Sequence, residues 1–394
     1  MSIDLLKRDL LDRWLSAYDE MSSLQSYRER SVRTVYSDRS SYDLETYTKN
    51  SFVPKRPVRD MPSDGEHFSW GLDMEGRPCY YSGRSTWEGF YSYSDTVVEY
   101  IEFHLSSKMP VRIERIIYNG DKKVGYQSFS INGGMGRLDD ISKTKKQRLD
   151  RILRHSSLLL CSIEWYHHEG DRIVSADCLS VFGDTETYTK NEYAYMATGE
   201  LDEIVSVDAD GQRRWIYANP ITGISLQDLS EEVSRLMAED VMDSLNEAGV
   251  ETPVAMLEIN YRSHDSYMPL LGVVSASGWN AYVAENGEEE LFLYLMTGGD
   301  IELINLKANL SGRLFTALMA EVDKHEDYEL AEKMIKKVAI LLTQKKIDKG
   351  VKITKDFVAY AVDWSLCRED HSELLSECGM SESQVNDWIR RGII

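Results

Sequence analysis

Apolar positions in the first two dozen residues recur at spacings of three and four. Leu6, Leu10, Trp14, Ala17, Tyr18 and Met21 share one face, which predicts an amphipathic helix over 2–24. Ser2 is placed to cap it, and Asp4 sits in the first turn, where the helix dipole favours an acid. Residues 26–64 are polar and end in Pro54, Pro57 and Pro62, the pattern of a strand or two followed by a linker. From Glu66 to about Ala218 the period falls to two: short runs of Tyr, Val, Ile, Phe and Trp alternate with polar residues, as in half-buried strands. Glu75-Gly76, Asn119-Gly120, Glu169-Gly170 and Asp210-Gly211 punctuate these runs, and each predicts a hairpin whose glycine supplies a positive φ. A polar, glycine-containing stretch at 130–136 leads into a predicted helix over 138–153.

After Asn219 the pattern becomes mixed. A helix is predicted over 226–248, with Leu229, Val233, Leu236, Met237, Val241 and Leu245 on one face and Gly249 as its stop. Strands follow over 254–261 and 270–275. A hairpin is expected from 290–296 and 301–305 around Thr297-Gly298-Gly299-Asp300. Helices over 310–322 and 328–345, a strand over 357–363 and one or two helices within 371–391 complete the chain. The fold class is α+β in two domains. Residues 1–225 form an N-terminal helix and an antiparallel β-meander with a basic helical insertion near 137–155, and residues 226–394 form a smaller α+β domain ending in helices.

Asp43 to Asn50 matches Asp184 to Asn191 at seven of eight positions, 141 residues apart, which suggests a duplicated strand–turn unit in one extended sheet.

Charge then narrows the picture. The 394 residues hold 66 acids and 45 bases, a net of −21. Residues 226–394 hold 31 acids against 16 bases, a net of −15, so the acidity belongs mainly to the second domain. Such a balance argues against general binding of nucleic acid or anionic membranes and is compatible with a basic partner. No run approaches the ~18 apolar residues of a membrane span, and the N-terminus resembles no secretory signal. Five cysteines, an odd number with no Cys-x-x-Cys, predict free thiols. A cytoplasmic location is the expectation.

Candidate chemistry is sparse. His167 and His168 are adjacent on a strand and point to opposite faces, so they do not chelate one metal together. Asp208-x-Asp210-Gly211 opens like a calcium loop, but the twelfth position is Asn219, and a hairpin turn fits better. Gly133-Gly134-Met135-Gly136 precedes the basic helix without a Gly-Lys-Ser/Thr, which excludes a nucleotide P-loop. No Gly-x-Ser-x-Gly and no activated cysteine is evident. No catalytic residue, metal ligand or cofactor is assigned, and binding is favoured over catalysis.

The segments Leu72-Asp73-Met74-Glu75-Gly76-Arg77-Pro78 and Val207-Asp208-Ala209-Asp210-Gly211-Gln212-Arg213 resemble turns of YD-type (RHS-like) repeats and related bacterial β-meander modules. The last 22 residues, with Gly379 at a turn, Ser381 as a cap and Trp388, Arg390 and Gly392 beyond, locally resemble an excisionase or MerR-type helix-turn-helix. That resemblance implies DNA binding, but the reading helix offers Glu382, Ser383, Gln384, Asn386 and Asp387 where phosphate contacts need bases. A helical hairpin closing the domain is the stronger expectation. The acidic surface, the Tyr- and Trp-rich sheet and the missing catalytic motifs together resemble bacterial immunity proteins, which implies a protein that neutralises a basic toxin. The expected contact residues are Glu285, Glu288, Glu289, Glu290 and Asp300. The alternatives are a DNA-associated regulator using the C-terminal segment and an enzyme whose site is assembled from scattered residues.

Overall fold

A computed structural model describes residues 3–37, 41–45, 58–62, 67–83, 86–105, 108–131, 159–249, 252–262, 266–289, 292, 302–304, 312–347, 349–363 and 371–394. The chain divides into two compact units, Met1–Arg213 and Arg214–Ile394, a division that falls ahead of the change in sequence texture at 225.

Helix α1 (Ile3–Leu24) opens the first unit, and a short 3-10 turn (Gln25–Arg30) follows it. Eleven strands of this unit then pair in strict chain order: β1 (Arg33–Ser37), β2 (Phe68–Leu72), β3 (Pro78–Gly83), β4 (Trp87–Tyr93), β5 (Val97–His104), β6 (Met109–Asn119), β7 (Lys122–Ile131), β8 (Leu159–Glu169), β9 (Arg172–Phe182), β10 (Thr185–Tyr195) and β11 (Leu201–Asp208), and the last strand of the sheet, β12 (Arg213–Ala218), starts at the unit boundary. Sequential antiparallel pairing follows from tight turns, which are of two kinds. At Asp73 and Asp208 the carboxylate accepts backbone N–H bonds from residues two and four ahead, at 3.0 and 2.8 Å in both cases. The glycine three residues on takes φ near +75° and +79°. At 119–122 and 169–172 the loop is Gly-Asp, with glycine at the first position and φ near +60°. All four predicted hairpins are present.

Alternation gives the sheet two buried faces. On one, Leu10, Trp14 and Ala17 of α1 pack on Phe90, Ile101, Phe103, Ile113 and Phe129. The Trp14 indole donates to the Pro110 carbonyl at 2.7 Å, and Arg13 and Arg115 both donate to Glu99, at 2.7 and 2.8 Å. Burial alone would raise the Glu99 carboxyl, but these two guanidiniums outweigh it and hold it below the usual carboxylate range. On the opposite face lie Trp70, Tyr81, Tyr91, Tyr100, Tyr126 and Tyr166, covered in part by Tyr42 and Leu44.

The duplicated segment is described in full only in its second copy, since residues 46–50 lie outside the described residues. Thr185 to Asn191 lies in β10, whereas Asp43 to Glu45 forms no strand. The one mismatched position differs in burial. Leu44 is buried against the tyrosine face and its N–H is bonded to Glu114, while Thr185 is an exposed strand residue. The basic helix and the glycine stretch before it lie outside the described residues.

The second unit centres on a four-stranded sheet of order β15–β14–β13–β16, formed by β13 (Val254–Arg262), β14 (Ser266–Ser275), β15 (Glu302–Ile304) and β16 (Ile353–Asp363). The β13–β16 pair is parallel and the others antiparallel. Helices α2 (Leu226–Glu247), α3 (Ala276–Asn286), α4 (Gly312–His325), α5 (Tyr328–Thr343), α6 (His371–Glu377) and α7 (Glu382–Arg391) surround it. The architecture is α+β, as the sequence predicts. Two departures matter. Helix α3 occupies a stretch given no element in the sequence reading. The pairing partner of Glu302–Ile304 is β14, and residues 290–291, 293–301 and 305 of the expected hairpin lie outside the described residues.

Helix α7 starts on a complete capping box, Ser381 accepting from the Gln384 N–H and Gln384 reaching back to the Ser381 N–H. Ser381→Ala is expected to cost about 1 kcal/mol of stability, read as a lower urea midpoint and faster amide exchange through 382–391.

Candidate binding pocket in the C-terminal unit

The parallel pairing of β13 with β16 contains a large irregularity. Val254 pairs with Ile353 and Met256 with Val358, so Ala255 alone stands opposite Thr354, Lys355, Asp356 and Phe357. Three extra residues make β16 bulge here, and such bulges re-aim side chains beside functional sites. Lys345 holds the bulge by donating to the carbonyls of Thr354 and Lys355, at 3.1 and 3.0 Å.

A cavity of about 210 Å³ opens against it, lined by Ala255, Thr354 and Asp356 from the sheet, Ala276, Trp279 and Asn280 from α3, and Trp388 and Arg391 from α7. Each element places its residues for a local reason. Ser275 caps α3 by accepting from the Gly278 N–H, and Trp279, Tyr282 and Val283 then fall on one helical face against the core. Trp388 is buried beside Phe292, and the Trp279 and Trp388 rings meet at 5.7 Å and 46°. The small side chains of Ala255 and Ala276 leave the space open.

The electrostatics around the pocket are asymmetric. Arg391 donates to Glu288 at 2.6 and 2.9 Å and to Asp387 at 3.2 Å. The bonds from Arg391 hold the Glu288 carboxyl below the usual range, against the repulsion of Asp387. The Asp356 carboxylate is exposed and has no hydrogen bond or ion pair among the described residues. Of the five acids expected from sequence to contact a partner, Glu285 is exposed on the last turn of α3, not on a hairpin. Glu288 is committed to Arg391, and Glu289 is exposed and lies against Gly392. Glu290 and Asp300 lie outside the described residues. Among the described residues, only Glu288 of these acids is tied to the pocket, through its bonds to Arg391, and the pocket's own residues Trp279, Asp356 and Trp388 went unassigned.

The helix-turn-helix expectation takes a packed form. Gly379 adopts φ +91° at the turn, Val385 and Trp388 of α7 are buried, and Arg390 and Arg391 are engaged with Asp387 and Glu288. Elsewhere, His167 bonds Asp177 at 2.8 Å and Asp208 is used by its turn. Cys79, Cys161 and Cys378 are buried free thiols, Cys178 is a half-buried one, and Cys367 lies outside the described residues. Among the described residues no group of three or more His, Cys, Asp or Glu could hold a metal ion, and no helix is long and apolar enough to cross a membrane.

The first unit holds a larger cavity of about 470 Å³ between Tyr27, Arg30, Asp73, Arg77, Tyr91 and Tyr93. Its charges largely satisfy one another: Arg77 pairs with Asp73 and Glu75, and Arg30 stacks 3.9 Å over Tyr27. The tyrosine face carries a more unusual group. Glu114, fully buried, accepts from Tyr126 at 2.8 Å, from the Leu44 N–H at 3.1 Å and from Arg112. Glu102 stands across the strand pair from the same arginine, and burial pushes its carboxyl up to about 7 against the pull of Arg112. These bonds pin residues 41–45 to the sheet, which is a structural clamp. Comparison of the chain with protein-family models and with curated proteins finds no match.

Proposed function

We propose that this chain is a protein-binding protein whose acidic C-terminal unit docks a basic partner, acting in the bacterial cytoplasm in the manner of an immunity protein that neutralises a basic toxin. The observation that carries the reading is the aromatic pocket with an unengaged carboxylate, in a region of net charge −15 whose Glu285 and Glu289 are exposed. Tryptophan walls supply the buried anchor of an interface, and surrounding acids speed encounter with a basic surface. The regulator reading has less behind it, because both terminal arginines already pair with carboxylates.

Affinity purification of the tagged full chain from its host tests the proposal. A basic protein is expected to be retained at ~0.1 M salt and released near ~1 M, where charges beyond ~3 Å are screened. Glu285→Lys combined with Glu289→Lys should weaken retention about tenfold or more. Recovery of no protein partner at either salt, or a partner indifferent to the charge reversal, overturns it.

A further inference from the structure

The pocket is specific enough to name what enters it. Resting on the protein-binding reading, we infer that the cavity between the β16 bulge and the Trp279–Trp388 pair is the anchor site for one guanidinium-bearing side chain of the partner.

Size is the first argument. At about 210 Å³ the cavity is smaller than the ~300 Å³ at which small-molecule sites begin, and it suits a single inserted side chain. Its wall is the second. Both indoles line the cavity, with ring centroids 5.7 Å apart and planes tilted by 46°. Indole is the ring that attracts cations most strongly, and a planar guanidinium stacks on it where a compact, strongly hydrated ammonium does not. Charge is the third. Arg391, the cation of the lining, already makes three bonds to Glu288 and Asp387. Asp356, which lines the same cavity, keeps its carboxylate without a partner among the described residues. A carboxylate offers a guanidinium a bidentate, charge-assisted pair.

The fourth argument is that the site is built. In a regular β13–β16 ladder a single residue would stand opposite Ala255. The chain instead inserts three residues, and Lys345 holds their carbonyls. Ala255 and Ala276 each contribute no more than a methyl group to the lining.

The test uses the full chain labelled with 15N at the tryptophan indoles, with Trp279→Phe assigning the Trp279 signal. Nα-acetyl-arginine N-methylamide is titrated in, and the citrulline analogue, equal in shape and neutral, serves as the control. The arginine amide is expected to shift the Trp279 signal saturably and to bind about 5- to 10-fold more tightly than the citrulline amide. Asp356→Asn, at an exposed position that leaves the unfolding midpoint unchanged, should reduce that preference below ~2-fold. Equal binding of the two amides, or shifts confined to other tryptophans, overturns the inference. The two proposals fail separately. A captured basic partner indifferent to Asp356→Asn and Trp279→Phe overturns the anchor and leaves the protein-binding reading standing. Arginine-amide binding without any captured partner does the reverse.

Discussion

Glu114→Ala is expected to lower the stability of the N-terminal unit by about 3–5 kcal/mol, the cost of removing one partner from a buried ion pair. Three groups lose their acceptor at once. The Tyr126 hydroxyl and the Leu44 N–H are left unsatisfied against the sheet, and Arg112 loses the carboxylate beside it. Truncation leaves these polar groups without water to replace the lost bonds, so desolvation dominates. Glu114→Gln keeps an acceptor for Tyr126 and should cost less, about 1–3 kcal/mol. The double replacement Glu114→Leu with Arg112→Met removes the charge along with its partner and should recover much of the loss. Urea unfolding followed by amide exchange in peptides from β5 to β8 reads this unit alone. A Glu114→Ala protein within 1 kcal/mol of the parent would show that the clamp contributes nothing.

The same clamp shows where sequence pattern stops being informative. Arg112 and Glu114 alternate with Val111 and Ile113, which by period alone assigns them to a solvent face. They are covered because Leu44 and its neighbours fold over that face, a contact spanning 70 residues. The strands and turns were legible because their causes are local: alternation of apolar positions, and glycines that take φ between about +59° and +79°. Helices α1, α2, α4 and α5 were legible through their apolar faces. Helix α3 was not, since no residue of it is fully buried and its signal reduces to Ser275 followed by Trp279, Tyr282 and Val283. The strand predicted over 357–363 begins where the β13–β16 ladder regains its register, so the bulge before it fell outside the pattern. The pocket needs that bulge, α3 and α7 together. Only the acidity around it was visible in advance, because charge is a property of composition and a cavity is a property of packing.

Glu102→Gln is expected to make the protein more stable above neutrality, not less. Desolvation raises the Glu102 carboxyl from an ordinary 4.5 to about 7, Arg112 opposing and Asp43 and Glu114 assisting. Between those values the folded chain holds a proton that the unfolded chain releases. Stability therefore falls as pH rises through this window: the contribution of Glu102 is complete below about 4.5 and lost above about 7. The shift corresponds to about 3 kcal/mol, and partial exposure of the side chain reduces that to about 2 kcal/mol. Glutamine keeps the shape and stays neutral at every pH. The variant should match the parent near pH 4.5 and exceed it by about 2 kcal/mol at pH 8. Urea unfolding of both proteins at pH 5, 6, 7 and 8 measures the difference directly. Groups titrating elsewhere, Glu258 among them, cancel in that difference, since only Glu102 distinguishes the two chains. A difference that stays flat across the window would mean that Arg112 keeps Glu102 ionised throughout. The arginine would then be shared evenly between two carboxylates, rather than committed to Glu114.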